Sequence, residues 1–241
     1  MKVTIIGSSN GVPEAHRKCS CVMIEVNGRI YFADMGTSAV DALRNRGIPV
    51  ESVKGIFITH MHGDHTNGLP QFIDLMTWYF TDADPVICLP VIGAAAVLRD
   101  WVKITQNDGN REIQYRETLP GLVYDDGVLK VTAIPTKHCC KSYAYLLEAE
   151  GKTVLITGDL QHPSVDFPET AKERELDLVI CESAHFPVRE YLPVFESCRI
   201  RNVCLTHYPP SAFGSVYELQ EELREKGIGV RIAADDLEIN V

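Results

Sequence analysis

The chain has 241 residues, 45% of them hydrophobic and 23% charged, enough to bury a substantial core and too apolar for a disordered segment. Its 23 basic against 33 acidic residues leave a net charge of -10, which excludes a general attraction for polyanions and confines any nucleic-acid binding to a local basic patch. No window offers the run of about 18 apolar residues that a membrane span needs, and the apolar part of the opening MKVTIIGSSNG is too short for a signal-peptide core. The expected location is therefore the cytoplasm, with no membrane partner.

That opening reads as a strand over residues 2–6, followed by a second at 20–26. Asn27-Gly28, between CVMIEV and RIYFAD, favours the left-handed pair of a tight hairpin turn. Thr37 or Ser38 can cap a helix reaching about Arg46, which Gly47 closes. GIFIT then predicts a buried strand that runs into THMHGDH. GLPQFIDLMTWYF has helical spacing, PVICLP predicts a short strand and VIGAAAVLRDWVKIT a helix. The second half predicts strands near 128–134, 143–149 and 153–157, an acidic helix to about 176 and the strand LVICES. A helix over 187–197, the strand NVCLT, the helix VYELQEELREKG ending at Gly227 and two strand-like runs complete it. Each half places hairpin strands before βα units, which predicts two similar halves packed sheet to sheet with helices outside, in one domain spanning 1–241.

The eight cysteines form no C-x-x-C pair, so a zinc ribbon is not expected, and most lie in apolar runs as small buried hydrophobes. The histidines are more informative. Three of eight fall within HMHGDH. His60 and His62, two apart, suit an extended loop aiming both rings at one metal. Gly63 then allows a sharp turn, so that Asp64 and His65 can point to a second. A two-metal site needs further ligands held at the ends of rigid strands. VTAIPTKH ends at His138, TVLITGD at Asp159 and NVCLTH at His207. With GIFITH, four apolar runs each deliver a metal-type side chain just past the strand.

These motifs, with YFADMG and DPVICLP, resemble the metallo-β-lactamase superfamily and most resemble its ribonuclease Z-like branch, through GIFITHMHGDHTNGLPQF, VTAIPTKHCCKSYAYLLEAEGKTVLITGDL and NVCLTHYPP. The resemblance implies an α/β fold of the four-layer αββα sandwich type, with the site at one edge between the sheets. It implies that His60, His62 and His138 hold a first metal, that Asp64, His65 and His207 hold a second, and that Asp159 bridges them. The cofactor expected is two divalent metal ions, zinc first, with manganese and iron sharing the same ligand preferences.

Two such metals can activate a shared hydroxide as the nucleophile. Asp64 can both ligate and accept a proton, which removes the need for a nucleophilic cysteine; Cys139 and Cys140 read as packing residues. His185, after the strand LVICES, is a candidate catalytic group that protonates a leaving oxygen, or else a histidine bonded to backbone. Asp34 is a candidate carboxylate behind a ligand histidine, or a turn aspartate. Lys137, Lys141 and Ser142 around His138, and His16, Arg17 and Lys18 in GSSNGVPEAHRKCS, are candidates for binding a substrate anion.

Members of the ribonuclease Z branch grip transfer RNA with an arm inserted between His138 and Asp159, and only 21 positions separate these residues here. Transfer-RNA 3′ processing and nucleic-acid binding are accordingly disfavoured. A metal-dependent hydrolase acting on a small phosphodiester, such as a cyclic nucleotide or related cyclic phosphate, is the first expectation. The alternatives are a lactone, ester or thioester hydrolase, with Tyr143 or Tyr208 polarising a carbonyl, and a non-catalytic metal-binding module. The resemblance also allows a homodimer.

Overall fold

The computed structural model describes residues 1–105 and 111–241. Among these residues the strands form two seven-stranded sheets and one two-stranded ribbon. The first sheet runs Leu237–Asn240, Lys2–Gly7, Cys21–Val26, Arg29–Ala33, Val53–Phe57, Val86–Leu89 and Tyr115–Glu117. The second runs Gly229–Ile232, Asn202–Leu205, Leu178–Cys181, Lys152–Ile156, Ser142–Ala149, Lys130–Thr136 and Gly121–Asp125. The final strand leaves the half in which it was made and closes the edge of the first sheet beside Lys2–Gly7.

Each sheet has an antiparallel part made by hairpins and a parallel part made by crossovers. In the first, Arg29–Ala33, Val53–Phe57, Val86–Leu89 and Tyr115–Glu117 are parallel neighbours. In the second, Lys152–Ile156, Leu178–Cys181, Asn202–Leu205 and Gly229–Ile232 are. Parallel strands need both faces covered, which explains their continuous apolar runs. Between the sheets lie Val3, Ile5, Tyr31, Phe57, Tyr145, Leu147, Val154 and Ile180. The outer face of the first sheet packs under helices Ala39–Asn45, Leu69–Trp78 and Ala94–Ile104. That of the second packs under Leu192–Glu196 and Phe213–Glu225. The result is the four-layer αββα sandwich. Among the described residues no helix is long and apolar enough to cross a membrane.

Local chemistry explains most boundaries. Ser38 caps the first helix by accepting from the Asp41 N–H at 3.2 Å, and Gly47, at φ 64°, follows it. Asn27 and Gly28 both take left-handed angles, φ 50° and 75°, as a two-residue hairpin between right-twisted strands requires. The corresponding turn of the second half is formed by Glu150 and Gly151, φ 54° and 69°. The acidic helix expected before residue 176 is instead two single turns, Pro163–Asp166 and Thr170–Glu173, separated by Pro168. A proline ring cannot continue the preceding turn and removes one of its N–H donors.

Candidate metal centre

The parallel strands of both sheets end at one edge of the sandwich, and the chemistry gathers there. Arg29–Ala33 leads into Asp34, Val53–Phe57 into His60, Lys152–Ile156 into Asp159, Leu178–Cys181 into Glu182, and Asn202–Leu205 into His207. A parallel sheet aims all its carboxyl ends the same way, so residues far apart in sequence meet at a single edge. The loop after Val53–Phe57 adds His62, Asp64 and His65, the last two on the short helical turn Gly63–Thr66. His138 comes from the loop after Lys130–Thr136.

The structure brings the seven residues together in two groups that share Asp159. His62 Nδ1 lies 3.0 Å from His60 Nε2 and 3.2 Å from His138 Nε2. His65 Nε2 lies 3.3 Å from Asp64 Oδ2, and His207 Nε2 is 3.6 Å from the same oxygen. The Asp159 carboxylate faces both groups. Its Oδ2 is 3.7 Å from His60, 3.6 Å from His138 and 3.5 Å from His207, while Oδ1 is 3.4 Å from His65. The triads His60, His62, His138 and Asp64, His65, His207 each have their ligand atoms within 4.8 Å of one another.

This donor set fits divalent metal ions. His65 Nε2 is buried without a hydrogen-bond partner, a costly state for an imidazole nitrogen that a metal would relieve. Burial pushes the His60 pKa down to about 2 and lowers that of His138, so both offer free lone pairs. Burial raises the pKa of Asp159 and Asp64, yet the facing His65 and His207 outweigh it and hold both as carboxylates, Asp64 at about 2. Burial opposes a charge on His65, but Asp159 and Asp34 outweigh it and raise its pKa well above the ordinary value.

Asp34 is buried behind this ring, in a left-handed conformation at φ 59°. Its Oδ2 is 2.7 Å from His65 Nδ1, and it also accepts from the Thr59 hydroxyl at 2.9 Å. The Thr59 oxygen in turn lies 3.0 Å from His60 Nδ1. One carboxylate thus orients a histidine of each triad, directly for His65 and through Thr59 for His60.

His185 lies at the open side of the ring, its Nε2 3.9 Å from Asp159 Oδ2. Its Nδ1 is 2.6 Å from Oε2 of Glu182, a carboxylate only 2% exposed. The same carboxylate accepts from the Leu160, Ala184 and His185 N–H groups. The Glu182 hydrogen bond, set against partial burial, raises the His185 pKa. Glu182 is not among the residues singled out from the sequence, although LVICE ends in an acid just as the strands before His60, Asp159 and His207 end in metal-type side chains.

The candidates for anion binding are differently placed. Lys141 is engaged by Glu117 at 2.8 Å. Ser142 is buried, and its hydroxyl oxygen accepts from Thr136 at 2.8 Å and from the Cys139 N–H at 3.4 Å, which ties the His138 loop shut. Lys137 is exposed, with its N–H donated to Asp166. Arg17 turns inward instead of facing the mouth. The Tyr208 hydroxyl is occupied by the Ala233 carbonyl at 2.7 Å, so it does not point at a substrate; Tyr143 is buried.

A family model described as Anti-Pycsar protein Apyc1 matches residues 1–213. Ribonuclease Z of Listeria monocytogenes is 27% identical over 155 residues, 63% of this chain and 50% of the relative, so the chain spans about half the length of the curated relatives it matches. The structure of human tRNase Z, short form, superposes with a TM-score of 0.80 at 21% identity, covering 100% of this chain and 99% of the other. The metallo-beta-lactamase fold protein YhfI from Bacillus subtilis gives 0.78 at 19% identity, covering 99% of each. These likenesses show the metallo-β-lactamase fold.

Proposed function

We propose that this chain, which belongs to the Anti-Pycsar protein Apyc1 family, is a metal-dependent phosphodiesterase acting on a small phosphodiester such as a cyclic nucleotide, with 1–241 as one catalytic domain. His60, His62 and His138 would hold one ion, Asp64, His65 and His207 the other, and Asp159 both. Zinc is the first choice, with manganese and iron compatible with the same nitrogen and oxygen donors. Such ions, when bound, polarise the phosphoryl group and bring the pKa of water toward neutrality.

The protein's own groups do the rest. Asp34 fixes which nitrogen of His65 and His60 is free to ligate. Asp64, held at about 2, is a stronger ligand than proton acceptor. The observation that carries the reading is His185, a carboxylate-backed imidazole whose Nε2 faces the ring across 3.9 Å. A proton held there can pass to the departing alkoxide. Breaking a phosphodiester expels a poorly stabilised oxyanion, for which such a donor contributes roughly 10²–10⁴ in rate. The compact Glu150–Gly151 turn and the net charge of -10 favour a small substrate over a polynucleotide. The name of the ribonuclease Z relative describes phosphodiester chemistry, which agrees.

The test measures bound metal by elemental analysis and turnover of bis-p-nitrophenyl phosphate and a panel of cyclic nucleotides, beside a panel of lactones and thioesters. Metal-dependent phosphodiester turnover is expected. Lactone or thioester turnover without phosphodiester turnover would replace this reading with acyl hydrolysis. Two metals with no turnover at all would replace this reading with a non-catalytic metal-binding module.

A further inference from the structure

We infer that residues 7–20 form a clamp that builds the Asp64, His65, His207 triad, and that Ser20 is the positioning residue that orients the His207 ring. The inference rests on the reading that this triad holds one of two metals.

His207 is held in an unusual way. Its backbone is left-handed, at φ 54°, a conformation that a non-glycine residue keeps only when its surroundings over-determine it. Those surroundings come from the other end of the chain. The His207 N–H donates to the Ser8 carbonyl at 3.1 Å. Arg17, whose side chain is 12% exposed, donates to that same carbonyl at 2.6 Å and to the Tyr208 carbonyl at 3.0 Å, and its guanidinium lies 4.0 Å from the centre of the Tyr208 ring. A single planar fork therefore grips both the Tyr208 carbonyl, just after His207, and the Ser8 carbonyl to which His207 itself donates.

The segment is itself braced. Asp235 accepts from the Ser8 N–H, the Ser8 hydroxyl and the Lys18 N–H. Glu14 and Arg17 pair through both backbone bonds and a salt bridge at 3.2 Å. Ser9 N–H donates to the Lys18 carbonyl at 2.8 Å, which closes the base of the loop. At its tip, a Cβ on Gly11 would stand 3.7 Å from Asp64 Oδ2, so the loop passes directly over a second member of the triad.

Ser20 completes the arrangement. Its oxygen is 3.0 Å from His207 Nδ1, and its carbonyl accepts from the Gly36 N–H at 2.7 Å, where Gly36 packs against the Asp64 backbone. A hydroxyl at Nδ1 keeps the opposite nitrogen, Nε2, turned toward Asp64 and Asp159 as a lone-pair donor. His65 has a carboxylate in the equivalent place and His207 only a hydroxyl, so the His207 side of the triad depends more on geometry than on charge. The other triad receives no contact of this kind from residues 7–20 among the described residues.

The experiment compares the parent, Ser20→Ala, Ser20→Thr and His207→Ala as full-length chains. It measures zinc stoichiometry, the affinity of each site by chelator competition, and melting temperature after chelation. Ser20→Ala is expected to weaken one of two zinc sites by roughly 10–100-fold, leaving the other site and the metal-free melting temperature at parent values; Ser20→Thr restores the weakened site. His207→Ala is expected to lose one zinc. Ser20→Ala with two parent-like sites, while His207→Ala loses one, would overturn the positioning role alone. Two parent-like sites in His207→Ala would overturn the assignment of His207 as a ligand on which the inference rests. An equal loss at both sites with a lower melting temperature would make Ser20 a general structural residue and also overturn the inference.

Discussion

Glu182 Oε2 lies 2.6 Å from His185 Nδ1, a buried carboxylate behind an exposed histidine of the site. Because the hydrogen bond to Glu182 raises the His185 pKa against the lowering effect of burial, the imidazole keeps its proton to higher pH than a free histidine. If that proton goes to the leaving group, activity declines as pH rises through the raised pKa. Glu182→Gln lowers that pKa, so the basic limb of the pH profile moves to lower pH. Bound metal ions oppose protonation in both proteins, so the comparison is made at equal metal loading. His185→Ala is expected to lose roughly 10²–10⁴ of turnover with metal content unchanged. An identical pH profile for parent and Glu182→Gln would remove His185 from the acid role.

His62 is exposed, and its Nδ1 is one of three nitrogens in its triad. His62→Ala should therefore fold normally and retain about one metal per chain in place of two, with turnover down by roughly 100-fold or more. Asp159→Ala removes the carboxylate that faces the ring nitrogens of His60, His65, His138 and His207 and should empty both sites. Elemental analysis of the folded variants checks this; parent-like metal in both would disprove the ligand assignment.

Chelation should lower the melting temperature of the parent and leave that of Asp159→Ala nearly unchanged. Ligands that bind only the native state stabilise it by mass action, about 4 kcal/mol at a thousandfold excess over Kd. Thermal melts with and without chelator measure the difference, and equal shifts in the two proteins would count against a metal at Asp159.

Asp34→Asn keeps a side chain tolerant of φ 59° but cannot accept from Thr59 and His65 as the carboxylate does. A fall in metal affinity of roughly 10–100-fold is expected with the fold intact. Asp34→Ala also leaves buried donors unpaired at 4% exposure, which adds about 1–3 kcal/mol of destabilisation. Denaturant unfolding separates the two variants; equal stabilities would mean that solvent replaces the lost partner.

Two glycines predict opposite outcomes. A Cβ on Gly36 would stand 1.7 Å from the Asp64 carbonyl oxygen, so Gly36→Ala must displace the loop that carries His62, Asp64 and His65 and should cost about 3 kcal/mol or prevent folding. Gly214, in the helix Phe213–Glu225, has open space around its Cβ position, and Gly214→Ala should gain roughly 0.5 kcal/mol. Melting temperatures moving in the same direction would contradict the packing around Gly36.

The residues that end apolar runs were legible in the chain, and with them the sandwich. His60, Asp159 and His207 each follow a buried parallel strand, whose continuous apolar run announces the element and whose end announces the edge. Asn27-Gly28 and Ser38 were equally plain, because turn and cap chemistry is local. Glu182 ends its apolar run by the same rule, but an acid there has no chemical meaning until His185 folds against it.

What only the tertiary structure decided is where each polar side chain finds its partner. Arg17 reads as an anion-binding surface arginine, but the carbonyls of Ser8 and Tyr208 turn it inward, and one of them comes from 191 positions away. Ser20 carries no periodic signal and acquires its place only when His207, 187 positions later, arrives beside it. Thr59, 25 positions after Asp34, links it to His60. Periodicity encodes which face of an element is buried. A hydrogen bond between distant segments has no period, and it exists only once the two sheets have brought their carboxyl ends to a common edge.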